Sequence, residues 1–191
     1  MFLQFDKLNM VSIFFTIPFT LIYAILFGIT MKIADLHNEH KLKSFKGAGV
    51  FFGFIWGILG ILLILSNNVV GNIVLAMTIA FLFRMRIDYI NHAISASLII
   101  IGFLFYGVFQ PIIFLSFYLI FLVFGSLKDY IDDVLKRKDF IYKLNEIMLY
   151  YPIPTLIYSI LFNDWIVFFV FLLYTLSYDL TKYYGMKLGY K

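Results

Sequence analysis

The sequence predicts an all-α fold, a polytopic integral membrane helix bundle with about seven transmembrane helices. Composition is the first observation behind this prediction, because the 191 residues are 63% apolar and only 14% charged, with a mean hydropathy of +0.95. These values exclude an ordinary soluble domain. The second observation is that apolar segments follow one another along the whole chain. No acidic, Ser-rich or Pro-rich linker separates them, so residues 1–191 are expected to form a single transmembrane domain.

A bilayer core of about 30 Å requires roughly 20 mostly apolar residues per helix. Seven segments approach this length, and the third, fifth and sixth of them are short. The segments cover residues 8–30, 48–66, 69–83, 92–109, 112–125, 147–162 and 165–178. An arrangement with six spans, in which the last two segments form one re-entrant pair, is the alternative.

Very short polar turns join three pairs of neighbouring segments, at Asn67-Asn68, Gln110-Pro111 and Asn163-Asp164. Asn, Asp and Pro favour turns, so the three hairpins are expected on one side of the membrane. Fourteen of the fifteen Lys and Arg residues then lie on the other side, and only Lys7 accompanies the hairpins. The positive-inside rule therefore predicts a multi-pass cell-membrane protein with its N-terminus outside and its C-terminus in the cytoplasm.

Between the fifth and sixth segments the sequence predicts an amphipathic helix in the membrane interface. Apolar residues recur at helical spacing from Leu127 to Met148, while charged residues occupy the other faces. The chain contains no Cys, which excludes disulfides, thiolate metal sites and Cys nucleophiles. The lipid bilayer is the expected partner. Nothing in the sequence indicates nucleic-acid binding or specifies an oligomeric state.

Two polar clusters on the predicted cytoplasmic side have the spacing of a helix face. Asp35 and Glu39 are four residues apart, so they share a face if the first helix continues through them. Asp88, Asn91 and His92 stand at positions i, i+3 and i+4 before the fourth span. Carboxylate, amide and imidazole groups all bind divalent cations.

A third cluster, Asp129, Asp132 and Asp133, places three carboxylates on one helix face, where they repel one another unless cations compensate them. If bundle packing brings the three clusters together, a Mg²⁺ site results, and Mg²⁺ commonly binds substrate phosphates as well. The candidate metal ligands are Asp35, Glu39, Asp88, Asn91, Asp129, Asp132 and Asp133. The sequence therefore predicts Mg²⁺ as cofactor and a phosphorylated lipid as substrate.

Basic residues are interleaved with these acids and could contact the remaining phosphate oxygens. The candidates for binding the phosphate are Lys41, Lys43, Arg84 and Arg86. His92 is the candidate catalytic residue, as a general base or a metal ligand. The predicted reaction is prenyl or phosphoryl transfer, in which the metal stabilises charge on the leaving phosphate.

The pair Asp35-x-x-x-Glu39 and Asp129-x-x-x-Asp133, four spans apart, resembles the two acidic motifs of the intramembrane polyprenyl prenyltransferases. In that family the motifs hold Mg²⁺ and a diphosphate, so the resemblance implies an isoprenoid diphosphate ligand. The fuller family form, Asn-Asp-x-x-Asp-x-x-x-Asp, is absent from this chain.

Two other functions agree with the same residues. Each cluster could be solvated structure at a helix end, in which case the protein would be a non-catalytic subunit or scaffold. A small transporter or ion channel is the other alternative, although ionisable residues near the middle of a span, which are typical of transport pathways, are missing from the predicted segments.

Overall fold

A computed structural model describes residues 16–39, 45–135, 140, 147 and 149–187. Within these ranges the regular structure is entirely helical, which confirms the all-α part of the prediction. Seven helices follow in order: α1 (Ile17–Glu39), α2 (Ala48–Ser66), α3 (Asn68–Phe83), α4 (Ile90–Tyr106), α5 (Pro111–Tyr130), α6 (Pro152–Phe162) and α7 (Trp165–Lys187). A short π-helical turn, Ile131–Leu135, continues α5.

Four of the helices are long and apolar enough to cross a membrane, by length and composition. They are α1, α2, α7 and α5 with its π-helical extension, whereas α3, α4 and α6 are shorter apolar helices. The start of the predicted first span, from Leu8, lies outside the described residues. So does most of residues 136–148 of the predicted interfacial helix, whereas its first part, residues 127–135, belongs to α5 and the π-helical turn.

Three helices extend further than the predicted spans, and one of them is α5, which continues to Tyr130 instead of ending at Gly125. The first helix continues to Glu39, so Asp35 belongs to a helix, because no Gly or Pro interrupts residues 31–39. The last continues to Lys187 instead of ending at Tyr178. Gly185 allows this, since a Cβ there would lie 2.6 Å from Leu36 Cδ1, so that α7 can pack closely along α1.

Small residues let α2 pack tightly against α4. A Cβ built on Gly53 would lie 2.7 Å from Asn91 Cβ, and one built on Gly57 would lie 2.6 Å from Leu98 Cδ1. Contacts this short leave no room for a side chain, so the glycines set the distance between the helices. Helix pairs in membranes commonly use small residues in this way. Because α2 also packs against α1, this close contact places the start of α4 beside α1.

The three predicted turns lie at the same end of the bundle. Asn67 immediately precedes α3 and caps it, because its side chain accepts hydrogen bonds from the N–H groups of Val69 and Val70. Asn72 is fully buried and links α3 to the connection between α4 and α5, because it donates to Val108 O and accepts from Gln110 N, each at 2.8 Å. This connection, residues 107–110, is longer than the predicted turn. The turn end of the bundle is therefore braced across hairpins.

Candidate functional site

A cavity of about 430 Å³ lies at the end of the bundle opposite the turns. Its wall combines residues from α1 to α5, from α7 and from the segment joining α3 to α4. Eight of the predicted site residues line it, namely Asp35, Arg84, Arg86, Asp88, His92, Asp129, Asp132 and Asp133. The fold thus brings together side chains from all three polar clusters.

Asp35 is the centre of a hydrogen-bond network at one side of the cavity. Its Oδ1 lies 2.9 Å from His92 Nε2, and its Oδ2 accepts a 2.9 Å hydrogen bond from the Tyr178 hydroxyl. Lys32 Nζ lies 3.6 Å from Oδ2 and donates to the Tyr178 oxygen at 3.3 Å. Both charged side chains are buried, with 4% of the Lys32 side chain and 7% of the Asp35 side chain exposed. The network joins α1, α4 and α7.

The ring of His92 faces a hydrogen-bond acceptor at each nitrogen. Nδ1 lies 3.2 Å from the carbonyl oxygen of Arg86, and Nε2 faces the Asp35 carboxylate. A neutral imidazole has only one N–H, so it can donate to one of the two. Only a protonated ring could donate to both acceptors at once. In that protonated state neither nitrogen offers a lone pair, so the predicted roles as base or metal ligand require one bond to open.

A second network ties the segment between α3 and α4 to the end of α5. Arg84 binds Asp129 Oδ2 through Nε at 2.9 Å and through Nη2 at 2.8 Å. Arg86 Nη2 lies 2.9 Å from Asp129 Oδ1 and 2.6 Å from Asp133 Oδ2. Burial lowers the pKa of Arg86, but hydrogen bonds to Asp129 and Asp133 outweigh it and hold the pKa above its ordinary value. Arg86 therefore stays charged.

Met85 makes this double contact possible. It has a φ of 54°, in the left-handed region that a residue other than glycine seldom adopts. The chain turns sharply at this residue, and the side chains of Arg84 and Arg86 reach the same carboxylate from positions two residues apart. Met85 itself is 87% exposed. Local backbone strain at such a point is typical of functional segments.

Gly125 on α5 provides the space in which the Arg84 guanidinium lies. A Cβ at this position would overlap Nη1 and Cζ of Arg84 and lie 2.9 Å from Nε. Only 6% of the Arg84 side chain is exposed, and within the described part of the chain its Nη1 has no hydrogen-bond partner. A buried cation with an unused donor is well suited to bind an oxyanion.

The other predicted residues are placed as follows. Asp132 forms an ion pair with Lys128 one turn before it, and Asp88 is exposed on the cavity wall. Asn91 does not line the cavity: it is fully buried against Gly53 and accepts a hydrogen bond from Asn38. Lys41, Lys43 and the side chain of Glu39 lie outside the part that the structure describes.

No group of three or more His, Asp or Glu side chains poised to hold a metal ion occurs among the described residues. Four of the five carboxylates at the cavity instead pair with a cationic side chain. Five of the seven predicted Mg²⁺ ligands are thus gathered around one cavity, but they do not form a ready-made coordination sphere. Mg²⁺ with phosphate would have to draw carboxylates and cations apart from each other.

Several cavity residues were missed in the sequence. Lys32 carries a recognisable signal, because it stands three residues before Asp35 on the same helix face. Tyr178 resembles an ordinary interfacial aromatic residue, and Trp56 lies within an apolar span; neither has a sequence signal of its own. Lys182, four residues after Tyr178, also lines the cavity.

Comparisons with known proteins add no relative: no protein-family model matches the chain, and neither the curated proteins nor the solved structures give a match.

Proposed function

We propose that this protein is a multi-pass membrane enzyme that binds a phosphorylated isoprenoid lipid with Mg²⁺ and catalyses prenyl or phosphoryl transfer at the cytoplasmic face of the cell membrane. The observation that supports it most is the composition of the cavity wall. Carboxylates and guanidinium groups line one part, and Met31, Ala96 and Ile99 line another. Ile99 lies seven residues beyond His92 on α4, about 10 Å along the helix axis. A charged mouth above an apolar interior suits an amphiphile.

The charge of the wall also suits such a ligand. Five acids (Asp35, Asp88, Asp129, Asp132, Asp133) and five bases (Lys32, Arg84, Arg86, Lys128, Lys182) line the cavity in the described part of the chain. Protonation of His92 on ligand binding would give the wall one positive charge in excess. A Mg²⁺ complex of an alkyl diphosphate has one negative charge in excess, so the two are complementary.

In this proposal Arg84 and Arg86 bind phosphoryl oxygens, because their guanidinium groups already lie side by side at a shared carboxylate. Asp129 and Asp133, with Asp88, hold the metal ion. Mg²⁺ supplies charge stabilisation at the leaving phosphate when bound. Asp35, Glu39, Asn91 and Asp132 stay predicted metal ligands, and Lys41 and Lys43 stay predicted phosphate ligands.

Calorimetry tests this proposal directly. Titrating the purified protein with Mg²⁺ and decyl diphosphate should give saturable binding that depends on both ligands. Asp129→Asn and Asp88→Asn should each weaken it by about tenfold or more, because each removes a charged ligand of the metal. Asp164→Asn, in the turn between α6 and α7, is the matched control and should bind as the wild type does. Equal binding in all four proteins, or no binding in any, contradicts the proposal.

The orientation is a separate prediction. The end of the bundle with the cavity should face the cytoplasm, because the Lys and Arg residues that the structure describes are concentrated there. Since the chain has no Cys, Met85→Cys introduces a single thiol at an exposed position. In sealed inside-out vesicles a membrane-impermeant maleimide should label Met85→Cys and not Asn163→Cys. Labelling of Asn163→Cys alone would place the cavity on the outer face.

A transporter is the second candidate, and one observation favours it. Lys32 and Asp35 are buried charges inside the bundle, and ionisable groups in such positions often belong to ion or proton pathways. Uptake into proteoliposomes that depends on Lys32 and Asp35, without turnover of any lipid phosphate, would support transport over catalysis.

A further inference from the structure

Trp56 lines the inner part of the cavity, midway along α2. It begins about 12 Å inside the start of the helix, eight residues after Ala48. Only 5% of its surface is exposed. The indole ring packs edge-on against His92, with ring centroids 5.9 Å apart, and against Phe27 at 6.0 Å. The ring is therefore held in place by aromatic contacts on two sides.

The indole Nε1–H of Trp56 is buried and has no hydrogen-bond partner among the residues the structure describes. An indole nitrogen can only donate, and a buried donor without an acceptor destabilises the folded state. The carboxylate of Asp35, which lines the same cavity, is already engaged: its two oxygens contact His92 and Tyr178. Trp56 lines the cavity, so a buried donor on it that lacks an acceptor among the described residues is a candidate to bind an acceptor on a ligand or a bound water.

We propose that Trp56 is a ligand-binding residue, whose Nε1–H donates a hydrogen bond to a phosphoryl oxygen of the lipid. This inference rests on the proposed function and extends it, because it places a phosphoryl oxygen beside the rings of Trp56 and His92. The bases on the cavity wall, Lys32, Arg84 and Arg86, favour an anion over a neutral oxygen as this acceptor. Lipids with a phosphate or diphosphate head group are the class that fits, and cationic or uncharged head groups are not.

Intrinsic fluorescence gives a direct test, because the chain has only two tryptophans. Trp165 begins α7 at the turn end, is 45% exposed and does not line the cavity. In Trp165→Phe, Trp56 is the sole indole, and decyl phosphate with Mg²⁺ should change its emission in a saturable way. Inorganic phosphate should need at least tenfold higher concentrations, since it lacks the alkyl chain. Decyltrimethylammonium should give no saturable change. In Trp56→Phe the only remaining indole is Trp165, so any change in its emission measures the nonspecific effect of the probe.

Affinity measurements separate the hydrogen bond from the shape of the ring. Trp56→Phe should weaken decyl phosphate binding about tenfold, as expected for one lost hydrogen bond to a charged acceptor. Benzothienylalanine at position 56 keeps the bicyclic shape but has sulfur in place of N–H, and it should weaken binding to the same extent. Wild-type affinity in that variant would overturn the inference and indicate that a water satisfies Trp56.

The inference and the proposed function can fail separately. Calorimetric binding that Arg84→Met abolishes, combined with unchanged Trp56 emission, overturns the role of Trp56 and leaves the proposed function standing. Emission that responds equally to decyl phosphate and inorganic phosphate overturns the lipid assignment. Absence of calorimetric binding with every probe overturns both.

Discussion

Asp35→Asn should lower the free energy of unfolding by about 3–5 kcal/mol, the usual cost of leaving one partner of a buried ion pair alone. The side chain of Lys32 is 4% exposed, so it cannot recover its hydration in the folded protein. Asn also reverses one hydrogen bond, because its amide N–H₂ would face a donor, either the Tyr178 hydroxyl or His92 Nε2–H. The substitution therefore removes the negative charge beside Lys32 and one of the two hydrogen-bond acceptors of residue 35.

Chemical unfolding in detergent, followed by helical circular dichroism, measures this effect. Asp88→Asn is the matched control, since Asp88 is an exposed carboxylate on the same cavity and its loss should cost less than 1 kcal/mol. Lys32→Met/Asp35→Asn removes the stranded cation and should recover part of the loss. A double variant that is less stable than Asp35→Asn alone, or an Asp35→Asn protein as stable as the control, would show that Lys32 does not depend on this carboxylate.

Gly125→Ala should reduce binding of decyl diphosphate about as strongly as Arg84→Met does, by tenfold or more, although residue 125 itself offers no group to the ligand. The added methyl group would occupy the position of the Arg84 guanidinium, so Arg84 has to leave its place beside Asp129. The arginine stays in the protein, but its donors no longer lie where the phosphoryl group is expected. One methyl group in a packed region typically costs about 1–3 kcal/mol.

Calorimetry on Gly125→Ala, Arg84→Met and Gly125→Ala/Arg84→Met checks this explanation. If Gly125 acts through Arg84, the double variant binds no worse than either single variant. Ser126→Ala, the exposed neighbour on α5, should bind as the wild type does. Additive losses in the double variant would mean that Gly125 supports the site in another way.

The helices were predictable because hydropathy and turn residues act locally. The turns at Asn67 and Asn163 appear at the predicted positions, and the polar clusters do gather at the opposite end. Local spacing could not predict the partners of each charge. Asp35 pairs with His92 and Tyr178, which are 57 and 143 positions away, and only the packing of α4 and α7 against α1 brings them together.

Asn91 is a second residue whose surroundings could not be predicted from local spacing. Its spacing with Asp88 and His92 predicts a shared face, and a helix face is broad enough to hold all three. The absence of a side chain at Gly53 lets α2 approach so closely that Asn91 is covered, while His92 reaches the cavity. Neither residue differs in its immediate sequence in a way that indicates which one is buried.

The exposure of α5 has a consequence for how the site works. Only 17% of its apolar window is buried within the protein, against 33–44% for the other long helices. Its C-terminal end is nonetheless tied to the rest of the bundle, because Asp129 pairs with Arg84 and Arg86. These are the same side chains that are expected to hold the ligand. A phosphoryl group and Asp129 then compete for one set of donors. If the proposed ligand binds there, occupancy of the cavity and the position of α5 are thermodynamically linked, and each influences the other by the same free energy.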